Sequence, residues 1–360
     1  MELLPQPPTA APPALASAPA PPGLASAPAP PGLASTPAPA QTRAAAASVA
    51  DPKFSNAEVA ELGASSFTPS APTPLQERAL AYMRWRRDDA IDKQGTLYAP
   101  SVEMASDVRL WRFLVAESFD AAKAAATYVS AVRWRHDNGL DAIRAALVAA
   151  NPAFFGGASH LQAIHLGSRD REVDAAHPRT FTRISPSGFE LLRDRNGHVV
   201  YIECPGLVNQ AAVASLGLDT YRSFVWQVQE LVQLVLDALS VREDRLILIF
   251  RIMDMAEMRL FRLMPSKVEK EAERIVKEAS RPLKDAYVTT TFKNFMINLP
   301  AAAAAGPLIK TFAPARSAKK FVLKGTDFVA ELLDSVEPSQ LPQRLGGELD
   351  DGAQWTGSKN

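Results

Sequence analysis

The residues of this chain that could do chemistry are few enough to weigh one by one. His160 and His165 stand five apart, a spacing that does not stack two ligands on one helical turn, and no third ligand follows nearby. They read as surface or structural histidines. Cys204 is the single cysteine and has no His-Asn pattern beside it, so it reads as a small buried residue at a strand end. Asp254 closes the apolar run Arg245–Met253. A carboxylate there could act as acid or base, but its commoner use is to anchor a loop through backbone amides. No Gly-x-Gly-x-x-Gly, phosphate-loop or Gly-x-Ser-x-Gly pattern occurs. The expectation is no enzyme, no cofactor and no metal site.

The totals narrow the partners. Among 360 residues, 39 Lys and Arg match 39 Asp and Glu, so no global field would steer the molecule onto nucleic acid or acidic lipid, and any such attraction must be local. One cysteine excludes an internal disulfide framework, and no Asn-x-Ser/Thr acceptor is present; a reducing compartment, the cytoplasm, fits best. No apolar run reaches the roughly 18 residues of a membrane span, and no basic segment followed by an apolar one opens the chain.

The elements that would position a site follow from periodicity and caps. The first part is low-complexity: Ala-Pro-Pro-Gly-Leu-Ala-Ser-x-Pro occurs at Ala20–Pro28 and again at Ala29–Pro37, with an alanine run at Ala44–Ala47. Residues 1–73 read as a disordered or polyproline-II tail, a linker rather than a targeting segment, which could also recruit a proline-binding domain. A helical unit spans 74–150: an amphipathic helix from Leu75, a helix over Asp107–Val115 capped by Ser106, one capped by Asp120, and one over Leu140–Ala150. Residues 151–350 change character. Phe189–Leu192 and His198–Glu203 flank Asp194-Arg-Asn-Gly197, which suits a turn between two strands. Apolar residues at 221, 224, 225, 228, 231, 232, 235 and 239 mark one face of a long helix, and Arg245–Met253 reads as a strand covered on both faces. A helix from about Pro265 to Ser280, a strand at Thr291–Asn298, an alanine-rich helix at Ala301–Phe312, a strand at Lys320–Leu323 and a helix at Asp327–Ser335 follow. Residues 351–360 read as a short tail. The fold class is α/β, with a mixed, largely parallel sheet.

These residues, in this order, resemble the CRAL-TRIO family of phosphatidylinositol/phosphatidylcholine transfer proteins and of tocopherol and retinaldehyde carriers. The likeness covers about Leu75 to Gly347. It rests on Leu110-Trp-Arg-Phe-Leu, Phe119-Asp120 and Trp134-Arg135 in the helical unit. In the second half it rests on Asn196-Gly-His-Val-Val-Tyr-Ile-Glu203, Ile252-Met-Asp254, Ile297-Asn-Leu-Pro300, Phe321-Val-Leu-Lys-Gly325 and Leu341-Pro-Gln-Arg-Leu-Gly-Gly347. The resemblance implies a sheet floor, an apolar lipid cavity enclosed by helices, and a movable gate helix at Ala301–Phe312. Five alanines smooth that helix and Gly306-Pro307 interrupts it, leaving open a kinked surface helix or a hinge.

On that mapping the lipid-binding residues are Tyr201, Val228, Ile249, Arg251, Met253, Phe312 and Lys320. The family's phosphatidylinositol-phosphate positions hold Glu117-Ser118, Thr289 and Lys320, so only the lysine survives. Of the choline positions Tyr201 remains, while Glu190, Val228, Ile249 and Arg251 occupy the others and leave most of a quaternary-ammonium cage unbuilt. Arg251 falls by strand alternation on the implied cavity face with Ile249 and Met253. A buried guanidinium needs a counter-charge, and two are open: an internal acid such as Glu203 or Asp254, or an anionic lipid head. Lys310, Arg316, Lys319 and Lys324 form a basic run near the implied gate, read either as a solvated face or as a site for docking on an anionic membrane. The expected function is lipid binding and transfer or presentation by a cytoplasmic, transiently membrane-associated protein; the alternative is a regulatory or scaffold module.

Overall fold

The computed structural model describes residues 51–94, 100–151, 179–180, 182–185, 188–256, 258, 265–299 and 319–350. The repeats, His160, His165, Lys310, Phe312, Arg316 and the expected gate Ala301–Phe312 lie outside the described residues.

Helix α1 (Asn56–Ala64) begins with a reciprocal cap: the Ser55 hydroxyl accepts from the Glu58 amide, and the Glu58 carboxylate accepts from the Ser55 amide at 2.8 Å. This helix lies within the stretch expected to be tail. Leu62 and Phe67 are buried, and Phe67 stacks on Trp111 with ring centroids 4.6 Å apart. The expected boundary at residue 73 is therefore corrected, because two large apolar residues of 51–73 complete the core beside Trp111. Beyond α2 (Pro74–Gln94) and the short α3 (Val102–Ala105), the predicted caps hold. Ser106 accepts from the Arg109 amide at 3.3 Å to start α4 (Asp107–Ala116), and Asp120 accepts from the Lys123 amide at 3.0 Å to start α5 (Ala121–Asp137). Helix α6 (Leu140–Ala150) closes the unit.

Strands β1 (Arg179–Thr180) and β4 (Val199–Glu203) pair antiparallel, and β4, β5 (Ile249–Asp254), β6 (Thr291–Ile297) and β7 (Phe321–Leu323) run parallel in that order. Strands β2 (Thr182–Ser185) and β3 (Gly188–Leu191) form a separate antiparallel ribbon. The expected hairpin is thus only half made. Asp194–Gly197 does turn, with the Gly197 amide donating to the Asp194 carbonyl at 2.8 Å, but beyond the Arg193–Val199 bridge β3 pairs with β2. Both edges of β4 are already taken, by β1 and β5.

Parallel strands need crossovers, and helices α7 (Gln210–Arg242), α8 (Lys267–Ser280) and the short α9 (Leu283–Ala286) supply them. Alternation then gives the sheet two faces. Val200, Ile202, Phe250, Ile252, Phe295 and Ile297 pack on one side with Leu332 of α10 (Val329–Ser335) and with Leu341 and Leu345. Val199, Tyr201 and Ile249 belong to the other side, whose core is continuous with α7 and the helical unit. Helix α7 is broken at Gly217, whose φ of 75° and ψ of 169° lie where a side chain would be strained. By length and composition α7 could cross a bilayer, but 78% of its most apolar window is buried in the protein. Its buried Glu230 and Asp237 are matched by arginines of the helical unit, so it is a core helix.

Those ion pairs join the two halves of the chain. Arg109 and Arg112 of α4 donate to the two oxygens of Asp237 at 2.8 and 2.9 Å. Arg135 of α5 forks onto Glu230 at 2.6 and 2.7 Å, and the Tyr287 hydroxyl adds a third bond to that carboxylate at 2.6 Å. Three of the quoted motif pieces meet elsewhere, at Asp254. It accepts from the Ala256 amide at 3.0 Å, from Asn298 at 2.8 Å and from Arg344 at 2.8 Å, which is the loop-anchoring role. Gly347 is small for a steric reason: a Cβ there would come within 2.0 Å of the Leu341 carbonyl oxygen.

Candidate functional site

The stripe along α7 divides its work. Phe224, Leu231, Val235 and Leu239 are buried in the core, whereas Tyr221, Val225, Val228 and Val232 look across to Tyr201 and Ile249 of the sheet over a cavity of about 400 Å³. A second cavity of about 720 Å³ adjoins it, and Arg251, Lys284, Tyr287, Thr290 and Thr291 line both. The first mixes the valines of α7 with Glu203, Gln229 and Ser280. The second is edged by Ser118, Asp285, Thr289, Asn294 and Lys320, with Met253 and Phe321 on its sheet side.

The register explains how one sheet row serves both spaces. Tyr201 pairs with Arg251, Arg251 with Asn294, and Asn294 with Phe321, so four strands present these residues side by side on one face. An irregularity between Ile249 and Phe250 resets the pairing and lets Thr291 join the same face. Arg251 lies beside Tyr201, its guanidinium carbon 6.0 Å from the ring centroid, and donates through both Nε and Nη2 to Oε2 of Glu203, the Nε bond measuring 3.1 Å. The internal-acid partner is thus present.

Tyr201, Val228, Ile249 and Arg251 line the smaller cavity; Arg251, Met253 and Lys320 line the larger one. Lys320 also donates to the Thr291 carbonyl at 2.6 Å, which fixes its ammonium at the wall. Phe312 lies outside the described residues. Of the basic run, Lys310 and Arg316 lie outside the described residues, Lys319 is exposed and its neighbour Lys320 lines the cavity, while Lys324 contacts Glu331 at 2.5 Å, which raises its pKa. Tyr221, Lys284, Tyr287, Thr290 and Thr291 are cavity residues that no motif singled out as ligand contacts. Tyr221 could have been found from the helical stripe; the others sit in a short helix and loop with no periodic signal.

A family model for the CRAL/TRIO domain matches residues 189–347. Residues 189–347 are thus similar to a CRAL/TRIO domain. Among curated proteins it is similar to the SEC14 cytosolic factor of Eremothecium gossypii, 25% identical over 248 residues that cover 68% of this chain and 70% of that protein. It is also similar to the phosphatidylinositol/phosphatidylcholine transfer protein SFH11 of Arabidopsis thaliana, 25% identical over 246 residues covering 66% of this chain and 56% of that protein. The chain thus spans little more than half the length of the second relative. The crystal structure of Sfh5 aligns with a TM-score of 0.48 and 14% identity, covering 84% of this chain and 91% of that one.

Between the segment that matches the CRAL/TRIO model and the helical unit packed on it, Ser118, Thr289 and Lys320 edge the same cavity. Glu117 is not among its lining residues; its carboxylate is met by Lys123 at 2.7 Å and Thr127 at 3.3 Å. Cys204 is buried, which pushes its thiol up to about 11, and it faces Arg344 at 3.4 Å. Burial, with Glu230 next to it, raises Tyr287 well above the usual phenol range, so its hydroxyl stays a donor.

Proposed function

We propose that this chain binds a hydrophobic lipid in the adjoining cavities and transfers or presents it at membrane surfaces, as a cytoplasmic protein that meets membranes transiently. The observation that carries this reading is a pair of adjoining cavities that share Arg251 and Lys284, with Val225, Val228, Val232 and Ile249 on the wall of the smaller and Ser118, Thr289 and Lys320 at the edge of the larger. That is the layout an amphiphile needs, with apolar side chains for the chain and donors for the head. The names of the two curated relatives, one of them a phosphatidylinositol/phosphatidylcholine transfer protein, support the same reading. Each buried methylene is worth about 0.8 kcal/mol in the cavity as in the bilayer, so exchange between them is nearly neutral and needs no energy source.

The test is to purify the full chain from a eukaryotic host, identify the extracted lipid by mass spectrometry and measure its transfer between vesicles. Stoichiometric lipid and catalysed transfer are expected. An empty, transfer-inactive protein that binds a protein partner would replace this reading with a scaffold.

A further inference from the structure

Arg251 stands where the two cavities meet, on a row whose other members, Tyr201, Asn294 and Phe321, carry no charge. Glu203 holds it through a single carboxylate oxygen, and its side chain remains 36% exposed. Lys284 lines both cavities and makes no ion pair among the described residues. Lys320 is on the wall of the larger space. Among the described residues, the lining sets two carboxylates, Glu203 and Asp285, beside these three cations.

We propose that Arg251, steadied by Glu203 and reinforced by Lys284, is a specificity-determining residue that selects lipids whose head ends in a bare oxyanion, a carboxylate or a phosphate monoester, and rejects choline-headed lipids. The proposal rests on the lipid-binding reading above and narrows its ligand class. A guanidinium is a planar fork that suits a carboxylate or phosphate and keeps its charge at any working pH. The aromatic face that would receive a quaternary ammonium, the Tyr201 ring, already has a guanidinium beside it. A second cation there meets like-charge repulsion in a partly desolvated space, so the site disfavours choline as well as favouring the anion.

The experiment offers the full-length protein donor vesicles containing radiolabelled oleate, dioleoyl phosphatidate or dioleoyl phosphatidylcholine and measures the lipid retained after gel filtration. The wild type takes up oleate or phosphatidate at least about tenfold better than phosphatidylcholine, a ratio that like-charge rejection can supply. Which of the two anions loads identifies the oxyanion as carboxylate or phosphate. The neutral double variant E203Q/R251Q loses that preference while unfolding cooperatively; should it not fold, K284Q, which leaves the ion pair intact, lowers the preference by about threefold. Equal uptake of phosphatidylcholine by the wild type, or an undiminished preference in the variants, overturns the selectivity and leaves lipid binding standing. Uptake of none of the three lipids overturns the selectivity, and lipid binding falls with it when the purified protein also yields no extractable lipid.

Discussion

Arg112 and Thr289 hold each other across the two halves of the chain. The Arg112 guanidinium donates to the Thr289 carbonyl at 2.9 Å, and the Thr289 hydroxyl donates back to the Arg112 carbonyl at 2.7 Å. Arg112 is 0% exposed, also reaches the Ile247 carbonyl at 2.9 Å, and is matched by Asp237. Thr289 has a φ of 49°, unusual for a β-branched residue, and it edges the larger cavity. The helical unit therefore fixes the rim of the candidate site as well as covering the core.

Arg112→Ala should destabilise the protein by about 3–5 kcal/mol, since it leaves Asp237 with one partner fewer and two carbonyls without their donor. Thr289→Val should cost about 1 kcal/mol. Urea unfolding measures both, and an Arg112→Ala midpoint equal to wild type would contradict the clamp.

Val228→Trp should fill the apolar chamber and cut lipid loading severalfold, with a stability change of about 1–3 kcal/mol from overpacking. Val241→Trp, at an exposed position of the same helix, is the control and should load as wild type does. Equal loading in both variants would place the lipid elsewhere.

His198 is 8% exposed, and burial, with Arg245 and Arg193 adding to it, lowers its pKa from 6.5 to about 4. The Leu248 amide donates to its Nδ1 at 3.3 Å, so that nitrogen must be unprotonated in the fold. Above pH 6.5 both folded and unfolded states are neutral and this stability is complete. As pH falls from 6.5 towards 4 the unfolded state takes the proton first and up to about 3 kcal/mol is lost. His198→Asn keeps an acceptor and cannot titrate, so its melting temperature should fall less over that window; parallel curves for the two proteins would exclude the histidine.

Removing residues 1–50 should leave thermal stability unchanged, because a Pro/Ala-rich segment lacks the apolar side chains to build a core. Removing residues 1–72 also deletes Leu62 and Phe67, and the loss of such buried side chains costs about 3–5 kcal/mol or more. Differential scanning calorimetry of the two truncations separates them. Equal melting temperatures would mean that Leu62 and Phe67 do not support the core beside Trp111.

Local rules made much of this protein legible in its sequence. Ser106 and Asp120 cap helices because their side chains satisfy amides three residues away, and the α7 stripe and the alternation through Ile249, Arg251 and Met253 are periods set by the backbone. Those periods carried the α/β class and placed Arg251 on the face of Ile249 and Met253, which the family resemblance implied to be the cavity face. They could not choose between Glu203 and a ligand as its partner, since Glu203 lies 48 residues away and only the β4–β5 register brings it near. The partner of β3 was decided the same way, by which edges of β4 were free. Lys284, Thr290 and Thr291 became site residues only when α4 clamped the loop after α9 against the sheet. Phe67 left the expected tail because Trp111 offered it a face to stack on. Caps and periods act within a few residues of chain, whereas counter-charges, cavity walls and missing core pieces come from distant segments, and only packing brings those together.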